Sequence, residues 1–310
     1  MSYTYKDAGV DVEKGERFAE LIKNLVIRPQ WIQREETGYA TILKFTNPPI
    51  AVTVDGIGTK LTLHRKFGTW YEAAEDLVAM NYNDLLCVGA KPMVFLDYLG
   101  MESLGKEHEE FVKALVETLN RLDVALVAGE TAEMPGIYSN EWDAVGFCLG
   151  PVVRRIPAET IKEGDLVVGV EASGFHSNGW SLIRKILEEE RIDPSSLEFQ
   201  LLAGTKIYHE VLDILEFVKS LAHVTGGGIK RALRRLLSGK GARVILKSRD
   251  YTDWILKYVK FEEAVSTFNM GYGMLMVVDE RKLEHVKNRI FCEVIGEVIG
   301  TTGFEIIYDR

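Results

Sequence analysis

The chain has 310 residues, of which 46% are hydrophobic and 27% charged, a balance that excludes intrinsic disorder and a collagen-like repeat. No apolar run reaches the ~18 residues a membrane-spanning helix needs. A net charge of −9 speaks against a nucleic-acid binder. At roughly 150 residues per domain the length suggests two domains.

The N-terminus lacks a basic segment followed by an apolar one, so no secretory signal is expected. Cys87, Cys148 and Cys292 are odd in number and far apart, which fits buried thiols in a reducing cytoplasm. Phe18, Leu21, Ile22 and Leu25 follow helical spacing, so a helix is expected over about 13–27. A buried strand follows at 50–54. It opens into Asp55-Gly-Ile-Gly-Thr-Lys60. Glycines there let backbone N–H groups converge on a phosphate, while Lys60 offers a charge, Thr59 a hydroxyl and Asp55 a metal ligand. The spacing fits neither a Walker A loop nor Gly-x-Gly-x-x-Gly. A tight turn with a surface lysine explains it equally well.

Residues 71–87 read as a helix that ends on Asn81-Tyr-Asn-Asp84. Polar groups in such an apolar helix need partners, and Asp84 suits Mg²⁺. A solvated helix end is the plainer reading. After a strand at 93–99, an amphipathic helix at 106–122 and a strand at 124–128 comes Gly129-Glu-Thr-Ala-Glu-Met-Pro-Gly136. Its Glu130 and Glu133 are oxygen ligands of the kind Mg²⁺ takes, or else part of a capped helix start on the surface. A strand at 143–153 closes the first half, and the polar stretch 154–165 is the best linker.

The second half restarts with a strand at 166–170 and Ser173-Gly-Phe-His-Ser-Asn-Gly179. This loop enters a helix, an anion-friendly arrangement. Ser173, Ser177 and Asn178 can donate to phosphate or sugar oxygens, and His176 can carry a proton or a hydrogen bond. An inert exposed histidine is the bland alternative. Helical patterns are read over 178–190, 206–220 and 228–237. Thr225, Gly226, Gly227 and Gly228 precede the last, as a close ligand approach or a flexible turn. The basic stretch Lys230–Lys247 reads as a solvated helix face and loop. Strands are expected at 242–247, 274–279, 292–298 and 304–308. The mixed order gives an α/β or α+β protein.

Taken together, these collinear segments resemble the phosphoribosylformylglycinamidine cyclo-ligase (aminoimidazole ribonucleotide synthetase) family. The likeness runs from Tyr5–Asp11 through 55–60, Asp76–Asp84, Phe95–Tyr98, 129–136, 173–179 and 182–187 to 225–228 and 267–271. The resemblance implies two domains, 1–155 and 156–310. The first would bind ATP and build an intersubunit β-barrel in a homodimer; the second would complete the cleft. It also implies ATP-dependent closure of formylglycinamidine ribonucleotide to aminoimidazole ribonucleotide, in cytoplasmic purine biosynthesis, with Mg²⁺.

By the same resemblance Asp55, Gly56, Gly58, Thr59, Lys60 and Lys23 meet ATP. Asp55, Asp84 and Glu130 ligate metal, with Glu133 in reserve. Ser173, His176, Ser177, Asn178 and Thr225–Gly228 meet the substrate, and His176, Lys60 and Asp55 are catalytic. One departure stands out: residues 33–42, Gly-rich in the family, hold only Gly38 here. That departure motivates one alternative, a nucleotide-binding member without turnover; the other is a different ATP-dependent phosphoryl-transfer enzyme of the same superfamily.

Overall fold

The computed structural model describes residues 2–10, 12–25, 29–34, 38–197 and 199–309, apart from the side chains of Val12, Lys23 and Arg34. The first half runs α1 (Val12–Leu25), β1 (Ile32–Arg34), β2 (Thr41–Leu43), β3 (Ile50–Gly56), α2 (Leu61–Phe67), α3 (Trp70–Cys87), β4 (Val94–Met101), α4 (Lys106–Arg121), β5 (Ala125–Glu133) and β6 (Trp142–Pro151). Its strands form one sheet in the order β1-β2-β3-β6-β4-β5, with only β4 and β5 parallel.

The second half runs β7 (Leu166–Glu171), α5 (Trp180–Glu189), β8 (Val218–His223), α6 (Gly228–Leu237), β9 (Gly241–Lys247), α7 (Asp250–Ile255), α8 (Phe261–Thr267), β10 (Tyr272–Val278), α9 (Leu283–Lys287), β11 (Glu293–Ile299) and β12 (Phe304–Asp309). Its sheet has the order β12-β9-β11-β7-β10-β8. Residues 152–165 connect the two sheets.

Helix α3 is the element on which the site is built. It lies against β3 and β6 of the first sheet and β8 of the second. Leu77, Val78, Tyr82, Leu85 and Leu86 are all buried, so its polar residues are forced to find partners inside the protein. In the second sheet β10 lies between β7 and β8 and is buried along its whole length. That is why Tyr272–Val278 reads as an unbroken apolar run. Helix α4 buries Phe111, Leu115 and Leu119 and turns its charges outward.

The expected helix over 206–220 is not formed. His209–Ile214 is a short 3₁₀ segment, and Val218–His223 is β8, paired with β10 from Val278 to Met274. Strand pairing decided this stretch over its local periodicity. Helix α1 forms, but Phe18, Leu21, Ile22 and Leu25 remain exposed. All three cysteines are free, and Cys292 is only half-buried.

Candidate active site

Asp55 closes β3, and its Oδ1 accepts the Gly56 N–H at 2.8 Å. Burial, and next the charge of Asp84, push its carboxyl up to about 6. Two carboxylates crowded in this way suit a shared cation. Asp84, from the end of α3, accepts the Nδ1–H of His223 at 3.0 Å. The far nitrogen of His223 faces the Asn83 amide at 3.3 Å. Asn83 Nδ2 also donates to the Lys206 carbonyl, and its Oδ1 accepts the Tyr208 N–H. Those two bonds fix the amide's orientation, so Nε2 of His223 accepts and Nδ1 carries the proton. Tyr39 donates its hydroxyl to the His223 carbonyl. Asp55 thus lies near the Asp84–His223 pair, where β3, α3 and the end of β8 approach one another. His223 and Tyr39 were not anticipated; the only sequence signal for His223 was its place just before the triple glycine.

The loop after Asp55 is open to solvent at Gly58, with φ +75°, and at Thr59, whose hydroxyl lies 3.3 Å from that of Ser181. Lys60 behaves differently from expectation. Its side chain is fully buried. Its ammonium lies 3.0 and 2.8 Å from the two Asp76 carboxylate oxygens and donates to the Ala203 carbonyl at 2.6 Å. Two hydrogen bonds and the ion pair to the second carboxylate oxygen hold the buried ammonium inside the protein, away from a phosphate. Lys60 is therefore corrected from a phosphate ligand and catalytic group to an internal clasp between the two halves.

Asp76 is the centre of that clasp. It also takes His64 Nε2 at 2.8 Å and the Thr205 N–H and hydroxyl at 2.8 and 2.6 Å. Burial alone would raise its pKa, but Lys60 and His64 outweigh it and hold the carboxyl far below the usual range. A charged residue inside the apolar run of α3 was the available signal for it.

The 173–179 loop lies against the same junction. His176 is buried with φ +58°. Its Nε2 accepts the Ser173 N–H at 3.2 Å, which leaves the proton on Nδ1, and Nδ1 has no partner among the described residues. Burial, then His223, lower its pKa to about 3. His176 is thus an enclosed group, neutral near pH 7, that shapes the loop. Ser173 donates to the Gly204 carbonyl and remains exposed; Ser177 meets the Thr205 hydroxyl. Asn178 turns its Oδ1 toward Gly226 across the loop 225–228. Gly228 (φ +60°) admits no side chain, because a Cβ would lie 2.6–2.8 Å from the backbone of Val265, Thr267 and Phe268.

Glu130 does not join Asp55 and Asp84. Directly paired residues share a sheet face, and Asp55 pairs with Gly146, which pairs with Asp97. Glu130 pairs with Tyr98, the next residue, and so lies on the opposite face. It is also three strands away from Asp55, about 14 Å at ordinary strand spacing. Glu133 accepts the Leu104 N–H and pins the end of β5. Among the described residues no three His, Cys, Asp or Glu side chains converge on one metal position. The Lys23 side chain lies outside what is described. Asp97, on the face of Asp55 and raised by burial, was not anticipated as a site residue.

The chain matches two family models, the N-terminal domain of AIR synthase related protein over residues 38–152 and the C-terminal domain over 162–309. A curated relative from Clostridium perfringens, phosphoribosylformylglycinamidine cyclo-ligase, is 37% identical over 329 residues, covering 98% of this chain and 96% of the relative. Among solved structures, a chain of the HypE–HypF complex superposes with TM-score 0.71 at 17% identity, covering 94% and 95% of the two chains. AaThiL complexed with AMPPCP and TMP gives 0.66 at 15%, covering 99% and 96%. At those identities the two structures speak for the fold alone.

Proposed function

Since the chain belongs to the AIR synthase family, we propose that it closes the imidazole ring of aminoimidazole ribonucleotide from formylglycinamidine ribonucleotide and ATP, releasing ADP and phosphate. The observation that carries this reading is the near-full-length identity to curated cyclo-ligases. The solved neighbours of other activities are far more distant in sequence.

An amide oxygen leaves poorly. Attack of that oxygen on the terminal phosphorus of ATP expels ADP and leaves a phosphorylated imidate. A nitrogen of the same molecule then attacks the imidate carbon, the C–O bond breaks, phosphate departs with the oxygen, and the nitrogen loses a proton. Ring closure within one molecule gains most from being held in place. The exposed Gly58–Thr59 backbone is the natural cradle for nucleotide phosphates. The triple-glycine loop and Ser173, Ser177 and Asn178 form the opposite wall, suited to the ribonucleotide.

Asp55 and Asp84 would hold Mg²⁺, since the charge of Asp84 bears on the buried Asp55 carboxyl and both lie at the cleft. When bound, Mg²⁺ neutralises phosphate charge. Two protein carboxylates, with water and phosphate oxygens, complete an ordinary Mg²⁺ shell without Glu130. Val54, Val127 and Phe147 leave an exposed apolar surface on the outer face of the first sheet, which supports the homodimer. Cytoplasmic location fits three free thiols.

The test is to mix the purified protein with Mg-ATP and formylglycinamidine ribonucleotide and follow aminoimidazole ribonucleotide and ADP together. Equal amounts of both support the reaction. ADP without the ring product points to another phosphoryl acceptor, and neither from a folded protein that binds ATP sinks the catalytic reading.

A further inference from the structure

Arg231 and Arg235 stand one turn apart on α6, both half-buried, on the side facing the cleft. The stem of Arg231 folds back over Gly227, where a Cβ would meet its Cδ at 2.5 Å. Its guanidinium reaches the Gly226 carbonyl at 3.5 Å, next to Asn178. The Nδ2 of Asn178 is buried and has no partner among the described residues. Arg235 lies 4.5 Å over the Tyr39 ring, within range of Asp55. Neither arginine forms a salt bridge among the described residues, whereas Arg65, Arg121, Arg243 and Arg249 all do. Burial first, and Arg235 next, weaken the hold of Arg231 on its proton. Glu16 of α1 and Asp55 offset part of the cost of keeping these two like charges together and partly dehydrated, and a bound anion would offset more. The reading of 230–247 as a solvated face therefore holds for Lys230 and Arg234, which are exposed, and fails for these two.

We propose that Arg231 and Arg235, with the Asn178 amide, form the phosphate-binding end of the site. The inference rests on the proposed reaction for its choice of ligand. A planar guanidinium fork matches a phosphate monoester or a terminal phosphate. Both the 5′-phosphate of the ribonucleotide and the last phosphate of ATP have that chemistry.

Calorimetric titration separates them. Wild type, Arg231→Gln, Arg235→Gln and the exposed control Arg234→Gln are each titrated with formylglycinamidine ribonucleotide, ribose 5-phosphate and Mg-AMPPCP. Loss of a charged fork should weaken the affected ligand roughly tenfold or more, and the control by less than about twofold. Weakening confined to the ribonucleotide and ribose 5-phosphate assigns the 5′-phosphate; weakening confined to Mg-AMPPCP assigns the terminal phosphate. Arg231→Gln should also leave the melting temperature unchanged or higher, because it relieves a like-charge pair; a structural role would lower it. Arg231→Gln and Arg235→Gln proteins that bind all three ligands like wild type overturn the proposal, as does a wild type that binds none. Arg231-dependent phosphate binding by a wild type that makes no ring product would sink the proposed reaction and leave the anion site standing.

Discussion

His176 sits in the loop expected to face substrate, yet its ring is enclosed and neutral. Its pKa of about 3 lies below that of a free histidine, so the unfolded chain takes up a proton near pH 6.5 that the native state refuses. Stability should therefore be fully present above pH ~6.5 and fall as pH drops towards 3, by ~2 kcal/mol between pH 7 and 5 from this group alone. Urea unfolding at the two pH values checks this: His176→Gln should flatten the slope, and an unchanged slope would show that the imidazole titrates normally in the fold. Lys60 carries a second prediction. Lys60→Met leaves Asp76 as a buried carboxylate short of its ammonium, and should cost ~3–5 kcal/mol of stability by urea unfolding. A loss below about 1 kcal/mol would mean that His64 and Thr205 satisfy Asp76 alone.

The elements that matter are those whose ends meet. Helix α6 begins at a glycine for a physical reason: Gly228 has positive φ and three backbone groups around the place a Cβ would take. Gly228→Ala should lower the melting temperature and weaken ligand binding together, since α6 must shift to make room, at a cost of ~1–3 kcal/mol or more. A variant with wild-type melting and binding would show the junction to be pliable. The 206–220 stretch carries the opposite lesson. Tyr208, Val211, Ile214 and Leu215 are all buried, so their spacing satisfied a helical pattern while the partner strand β10 dictated a strand from Val218. Helix α3, by contrast, was legible because its length and continuous apolar character allow no strand of ordinary size.

At the scale of the whole molecule, the outer face of the first sheet is one apolar surface left uncovered among the described residues. Val54 and Phe147 lie side by side on it, paired across β3 and β6. Phe147→Asp should turn the proposed homodimer into a monomer in sedimentation velocity while the circular dichroism stays native; an unchanged dimer would place the interface elsewhere. Lys60 and Asp76 act at this scale too. One comes from the loop after β3, the other from α3, and both bond to the segment 203–205 of the second half, so the two sheets are joined through a buried ionic centre.

What the sequence determined by itself was the class of fold, most of the long elements and the segments that border the site. Strand alternation, helical spacing and glycine-punctuated loops are local properties, and the collinear motifs carried the family. What only the tertiary structure decided was which of those side chains share a space. Lys60 and Glu130 carry the right chemistry in the right motifs, but one is drawn inward by Asp76 and the other is turned to the far face by the period of its strand. Arg231 and Arg235 have the reverse history: they read as ordinary surface charge until α6 was set against Tyr39 and the 173–179 loop. Facing and burial depend on which elements pack together, and a one-dimensional pattern holds no record of that.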